Sequence, residues 1–336
     1  MKSLIFLALF FAPLLSCNAK LQQLIPPEAT TLSPSDTLPP ALIDTALHRI
    51  VHFHLPYELS NPVEKFEMPA KLKEISGVSM STSNAEIITA IQDEDGILFH
   101  INKNTGEVEQ ETEFYKPGDY EGVEVVRDTV YVIKSNGTLY EVSDLENSPP
   151  YVVKRKFFLT KANDVEGLCY DEKENRLLVA CKGMPVKGES EEGNKFQKAI
   201  YSFDLETDSM DQKPAFVFDL SAIQDYLKGR EAMAHYDKLY RYFNHDVETL
   251  IFSPSAIAIH PLTGNIYMTS SPKKILMVFD PAGNILHLEK MDKSIHPQPE
   301  GLTFDKDGTL YMVNEGKKEG AGTLLKFAYQ PEIAIH

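Results

Sequence analysis

The feature that most constrains this chain is a recurring signature. An acidic residue and a glycine are followed by alternating apolar residues, a turn and a second strand-like run. Three copies are clear: Asp119-Tyr120-Glu121-Gly122, Asp164-Val165-Glu166-Gly167 and Gln298-Pro299-Glu300-Gly301. Two weaker copies complete the series, Ile75-Ser76-Gly77-Val78 and Pro254-Ser255-Ala256-Ile257. The glycine, or Ala256 in its place, recurs at intervals of 45, 45, 89 and 45 residues. A period in the forties with several short strands per unit points to an all-β fold, the β-propeller.

Each unit reads as four strands. Unit one carries Ile87-Ile91, Gly96-Ile101 and Val108-Phe114 after its signature; unit two carries Thr129-Ile133, Thr138-Val142 and Tyr151-Phe158. Unit three is expanded by a polar loop, Met184-Gln197. Between units three and four, Ser221-Asn244 has helical spacing of apolar residues, an expected N-cap at Ser221 and a break at Gly229. The 89-residue interval is therefore one blade plus a helical insert. This gives a five-bladed propeller, with six blades as the alternative because 89 is nearly twice 45. The last unit has three strands before the chain ends. The isolated strand Val63-Met68 is expected to be its fourth, leaving no sheet edge open.

The N-terminus is organised for export. Lys2 precedes an apolar run from Leu4 to Leu15 that is too short for a membrane span. It ends Leu14-Leu15-Ser16-Cys17, which resembles the lipobox of bacterial lipoproteins. That resemblance implies lipidation of Cys17, a membrane anchor and an envelope location; the alternative is an ordinary secretory peptide cut near Ala19. The expected division is a signal peptide over 1–17, a Pro/Ser/Thr-rich tether and extension over 18–56, and the propeller over 57–336. Within the extension, Ala41-Leu55 reads as a short helix or strand. Cys169 and Cys181 fall on the two strands of one expected hairpin. Cys169 should face about Leu178, which places Cys181 roughly 10 Å away along the strand, too far for a disulfide. Buried free thiols are expected.

The composition permits a packed core, with 43% hydrophobic and 24% charged residues. A net charge of −16 argues against nucleic acid and anionic lipid headgroups as partners and is compatible with cation binding. A solvated acidic surface accounts for most of that charge without a ligand.

Propeller geometry turns the repeat into a candidate site. The start of each innermost strand and the end of the next strand meet at one channel mouth. The starts are Ser76, Glu121, Glu166, Ser255 and Glu300. The ends include Asp93, Lys134, Lys182, Ser271 and Glu315. Three glutamates at a narrow mouth repel one another, and a divalent cation removes the conflict. Calcium suits oxygen ligands in flexible geometry, and no Cys/His cluster has metal-site spacing. Glu121, Glu166 and Glu300 are the expected ligands of Ca2+, with Glu315 and Asp93 secondary. Two competing readings apply. Each Glu-Gly could mark a bulge whose carboxylate caps backbone amides. Lys134 and Lys182 could neutralise the glutamates, or bind the anionic group of a small ligand. The insert, entering on the same face, could form a lid. Asp93-Gly96 reads as a turn and not a calcium loop, His260-Gly264 as a strand end and turn, and His235 and His245 as surface or packing residues.

The set Ile75-Gly77, Asp119-Gly122, Asn163-Leu168, Ser253-Ile257 and Pro299-Gly301, followed by Tyr311-Gly316, resembles the SdiA-regulated family of bacterial β-propeller proteins over about Tyr57 to Tyr329. The resemblance implies a five-bladed propeller with a calcium site, distantly similar to NHL-repeat propellers, in an exported or envelope location. It implies no particular activity. Ser76 and Ser255 stand where other units have glutamate, so the ring of ligands is incomplete. Two functions follow from these readings. One is a calcium-containing module that binds a small ligand or a protein partner at the mouth. The alternative is a metal-dependent hydrolase of phosphoesters or lactones, with Glu315 as the best available base.

Overall fold

The computed structural model describes residues 53–185, 195–244, 247–317 and 320–331. These belong to one unit, His52–His336. Cys17, the signal peptide, the tether, most of the Met184-Gln197 loop and His245 lie outside the described residues.

Five sheets make five blades. Blade one is β2 (Ile75–Met80), β3 (Ile87–Gln92), β4 (Ile97–Asn102) and β5 (Val108–Glu113). Blade two is β6 (Tyr120–Val126), β7 (Thr129–Lys134), β8 (Leu139–Ser143) and β9 (Tyr151–Arg155). Blade three is β10 (Val165–Asp171), β11 (Arg176–Cys181), β12 (Gln197–Asp204), the short β13 (Ser209–Met210) and β14 (Phe216–Asp219). Blade four is β15 (Pro254–Ile259), β16 (Ile266–Ser270), β17 (Ile275–Phe279) and β18 (Ile285–Lys290). Blade five is β19 (Pro299–Phe304), β20 (Leu310–Asn314) and β21 (Thr323–Phe327), closed by β1 (Glu64–Glu67), which pairs antiparallel with β21. The expected five blades and the N-terminal closing strand are both present; the six-bladed alternative is not. Only β13, two residues on the margin of blade three, has no counterpart in the sequence pattern.

Position in the blade explains strand composition. The inner strands are walled on both faces by neighbouring blades and read as near-continuous buried runs; every residue of β3 and β16 is buried. The outermost strands face water and carry charge, as in β5, Val-Glu-Gln-Glu-Thr-Glu, where only Thr112 is buried. The core is divided into clusters lying between adjacent blades. Ile91, Val123 and Val132, for example, pack between blades one and two.

The helical insert forms α1 (Leu220–Leu227) and α2 (Tyr236–Asn244). Its N-cap is Asp219, not Ser221: the Asp219 carboxylate accepts from the Ala222 amide, and the Ser221 hydroxyl donates to the same carboxylate. Gly229, at φ 72°, lies in the break between the helices. Ile223, Leu227, Leu239 and Phe243 join the cluster between blades three and four, and α1 packs on the outer strands β14 and β18. The insert thus wedges into the perimeter and does not roof the channel. Cys169 pairs across from Leu178 as expected; Cys169 and Cys181 are buried free thiols.

Candidate functional site

The signature is a structural device repeated five times. In every blade the register between the first two strands slips at one point: between 75 and 77, 120 and 122, 165 and 167, 254 and 256, and 299 and 301. The skipped residues are Ser76, Glu121, Glu166, Ser255 and Glu300. Each is the extra residue of a β-bulge, which bends the strand and re-aims that side chain. Ser76, Glu121, Glu166 and Glu300 line one narrow space at the channel, with Ala256 completing the wall on the side of blade four. Its volume is about 10 Å3, room for about one water-sized occupant.

The adjoining glycine has a separate cause. A Cβ on Gly77 would lie 3.2 Å from the Glu121 carbonyl oxygen and from the Val123 amide of blade two. A Cβ on Gly301 would lie 3.2 Å from the Val78 amide and 2.6 Å from a Val313 methyl. Inner strands of adjacent blades approach this closely because five blades leave a thin channel. The bulge expected of Glu-Gly is present, and in blades two, three and five its extra residue is a glutamate that lines the narrow space.

The two serines, which break the run of glutamates, have a different task. The Ser76 hydroxyl donates to the Tyr120 carbonyl at 2.8 Å, and the Ser255 hydroxyl donates to the Pro299 carbonyl at 2.6 Å. In each case the bond runs to the next blade and satisfies a buried carbonyl.

The three glutamates stand in mutual electrostatic reach. Burial, then the proximity of Glu166, raises the Glu121 carboxyl far above its ordinary value. Burial also raises Glu166, opposed by Lys182. Burial brings Glu300 to about 7, with the Ser271 hydroxyl and Lys182 opposing. Lys182 Nζ donates to Glu166 Oε1 at 2.8 Å, the salt bridge expected as the alternative to a metal at this carboxylate. Burial alone would lower the Lys182 ammonium, but Glu166, Asp164 and Glu300 hold it above its ordinary value. One lysine thus serves several carboxyls, and burial still drives all three glutamates toward the protonated form.

The secondary candidates lie at the edge of the same field. Burial and the nearby Glu74 and Glu94 raise Asp93 to about 6, and its buried Oδ1 has no partner. Glu315 is raised by burial and Glu74, and it accepts from Gln298 Nε2. Lys134 stands apart from the ring: its Nζ lies 5.1 Å over the Tyr120 ring, and its nearest opposing charge is Asp119. Asp93-Gly96 is the expected turn between β3 and β4. His260 follows β15, and its Nδ1 accepts from the amides of Leu262 and Thr263, a turn cap. His235 is exposed, at φ 59°.

Sequence reasoning places Asn314 at the mouth as a strand end without making it a ligand, and it misses Lys274. Asn314, fully buried at the end of β20, leaves its Oδ1 without a partner. Lys274 faces Glu300 from a left-handed backbone, at φ 53°. Asn314 is legible as a strand end in the signature's own register; Lys274 lies in a turn with no repeat to point to it. Among the described residues, no three His, Cys, Asp or Glu side chains are drawn close enough together to form a closed metal site. The donors present are all oxygens, which is calcium chemistry and not that of a thiolate or imidazole metal.

The SdiA-regulated family profile matches residues 58–234 and 236–317. No curated protein matches the chain. Solved structures are similar in fold at low identity. A structural-genomics protein of unknown function from Bacteroides thetaiotaomicron is 16% identical, with a TM-score of 0.42, covering 76% of this chain and 56% of that one. Glutaminyl cyclase of Myxococcus xanthus is 11% identical, with a TM-score of 0.49, covering 80% and 95%. The PQQ-bound aldose sugar dehydrogenase of Streptomyces coelicolor is 10% identical, with a TM-score of 0.47, covering 80% and 97%.

Proposed function

This chain belongs to the SdiA-regulated family, and from that premise we propose that its channel mouth takes up Ca2+ and that the propeller is a ligand- or partner-binding module of the bacterial envelope, anchored through a lipid on Cys17. The observation that supports the ion is the bulge ring. Three glutamates are aimed by the same backbone device at one constricted mouth, and among the described residues only Glu166 of the three is in a salt bridge, with Lys182. Glu121, Glu166 and Glu300 would hold the ion, with Asp93 and Glu315, which act electrostatically on Glu121 and Glu300, as further candidates. The carboxylates would have to turn toward the channel axis to share it. The ion would supply positive charge that keeps them ionised and ties three blades together.

The test is a calcium titration of metal-free protein by calorimetry and thermal melting, repeated on Glu121→Gln, Glu166→Gln and Glu300→Gln. Saturable binding that raises the melting temperature, weakened by each variant, supports the reading; unchanged melting in calcium and in chelator refutes it. Turnover of phosphoesters or lactones that requires calcium and is lost in Glu315→Gln would favour the alternative, a hydrolase. The anchor is tested by Cys17→Ser, which should move the protein from the membrane fraction to the soluble one.

A further inference from the structure

The channel has a second mouth, and it is far roomier. At the end opposite the bulges, the inner strands finish around a funnel of about 670 Å3. A second ring of residues lies three positions beyond the bulges: Ser79, Glu124, Cys169, Ala258 and Thr303, one from each blade. The two hydroxyl members act as struts. Ser79 Oγ accepts from the Val125 amide at 3.0 Å, and Thr303 Oγ1 accepts from the Met80 amide at 3.0 Å; each bond runs to the next blade. Glu124 makes the equivalent bond, its carboxyl accepting from the Tyr170 amide and from the Ser79 hydroxyl.

A strut does not require a charge, as Ser79 and Thr303 demonstrate. Glu124 brings an ionisable carboxyl, and burial pushes its pKa up to about 8 with no basic side chain opposing it among the described residues, so a cation beside it would be needed to hold it ionised. The other charges near the floor are matched: Lys103 pairs with Asp305 at 3.3 Å, and Arg176 pairs with Asp171 at 3.0 Å. The rim carries both signs, Glu172 and Glu174 beside Lys173 and Lys306. Above the carboxyl the walls are largely apolar and aromatic, with Tyr170, Phe216, Ile259, Phe304 and Pro261 among them. A deep carboxyl without a counter-charge, under apolar walls, lacks a cation on an apolar body.

We propose that this funnel is a binding site for a small organic ammonium compound, its charged nitrogen received by Glu124 and its apolar portion by Tyr170, Phe216 and Phe304. The site is separate from the calcium mouth and does not depend on it. An anion is disfavoured, because the basic groups at the floor are already paired. A neutral apolar ligand would leave the Glu124 carboxyl without a counter-charge.

The test uses 2-phenylethylamine and its neutral counterpart 2-phenylethanol, followed by ligand-observed NMR and calorimetry on the full chain in detergent. The wild-type protein should bind the amine saturably and at least ~10-fold more tightly than the alcohol. Glu124→Gln should lose that preference. Ala258→Leu, which fills the floor and leaves Glu124 in place, should weaken the amine by a similar factor; it decides the question if Glu124→Gln does not fold. Binding should persist in chelator. The proposal is overturned if wild-type protein ignores the amine, if amine and alcohol bind alike, or if both variants bind the amine as the wild type does. It is also overturned if calcium displaces the amine competitively, which would make Glu124 a metal ligand.

Discussion

Replacing Lys182 by methionine separates the two ways the mouth can balance its charge. Lys182 is the cation 2.8 Å from Glu166 Oε1, and it also faces Glu300. Methionine keeps the length and the apolar stem and removes the charge. Breaking a fully buried pair costs about 3–5 kcal/mol, and a surface pair about 0–1. Here the glutamate side chain is 8% exposed and the lysine 37%, so the lysine end is screened and a cost of about 1–3 kcal/mol is expected in metal-free protein. At roughly 2–4 °C per kcal/mol for a domain of comparable size, the melting temperature should fall by about 2–12 °C. Calcium should reverse the sign of the comparison. Lysine and calcium compete for the same carboxylates, so removing a unit positive charge beside the site should strengthen calcium binding. With an effective dielectric constant near 20 and partial screening, the gain is about 1–3 kcal/mol, roughly tenfold or more in affinity. The assay is calorimetric titration and thermal melting of both proteins with and without calcium. A Lys182→Met protein that is destabilised in chelator and binds calcium more tightly agrees with competition. One that binds calcium more weakly than the wild type would refute it, because Lys182 would then be part of the site and not the ion's rival.

Three further outcomes follow from the same geometry. Glu300 has a folded pKa of about 7 against an ordinary 4.5, so between those values the folded state holds a proton that the unfolded state has lost. Metal-free protein should therefore lose stability as pH rises from about 4.5 to 7, and saturating calcium should flatten that slope; a metal-free melting temperature that climbs through this window contradicts the assignment. Gly301→Ala should cost about 1–3 kcal/mol by denaturant titration, because the new methyl group meets Val313 at 2.6 Å and the Val78 backbone at 3.2 Å; the reverse change in blade four, Ala256→Gly, should cost about 1 kcal/mol or less. Removing β1 by starting the chain at Pro69 should expose the edge of β21 and produce aggregation or a lost cooperative transition, and an unaffected monomeric melt would contradict the closure of blade five.

The ring is legible in the letters because its repeat carries both a spacing and a residue type. Glu121, Glu166 and Glu300 share a glycine neighbour, and that glycine is forced by backbone contact between blades, so the pattern survives. The serine positions are legible as members of the series, but their hydrogen bonds to Tyr120 and Pro299 are not, because sequence does not say which carbonyl a hydroxyl meets. The second ring is invisible for a related reason. Ser79, Glu124, Cys169, Ala258 and Thr303 keep the same spacing yet share no chemistry, so nothing marks them until the strands are closed into a channel. The insert is legible as helices, but a lid is the wrong expectation for it. Its apolar residues are spaced for packing against any face, and only the fold decides that the face is the outer edge of blades three and four.

The most direct test of the account is an anomalous difference map from crystals grown with calcium and soaked with terbium. The account predicts one dominant peak at the bulge ring, within about 2.3–2.6 Å of carboxylate oxygens from Glu121, Glu166 and Glu300, with Lys182 turned away from Glu166. A clean map at that mouth, with the Lys182–Glu166 bridge intact at 2.8 Å, would contradict it.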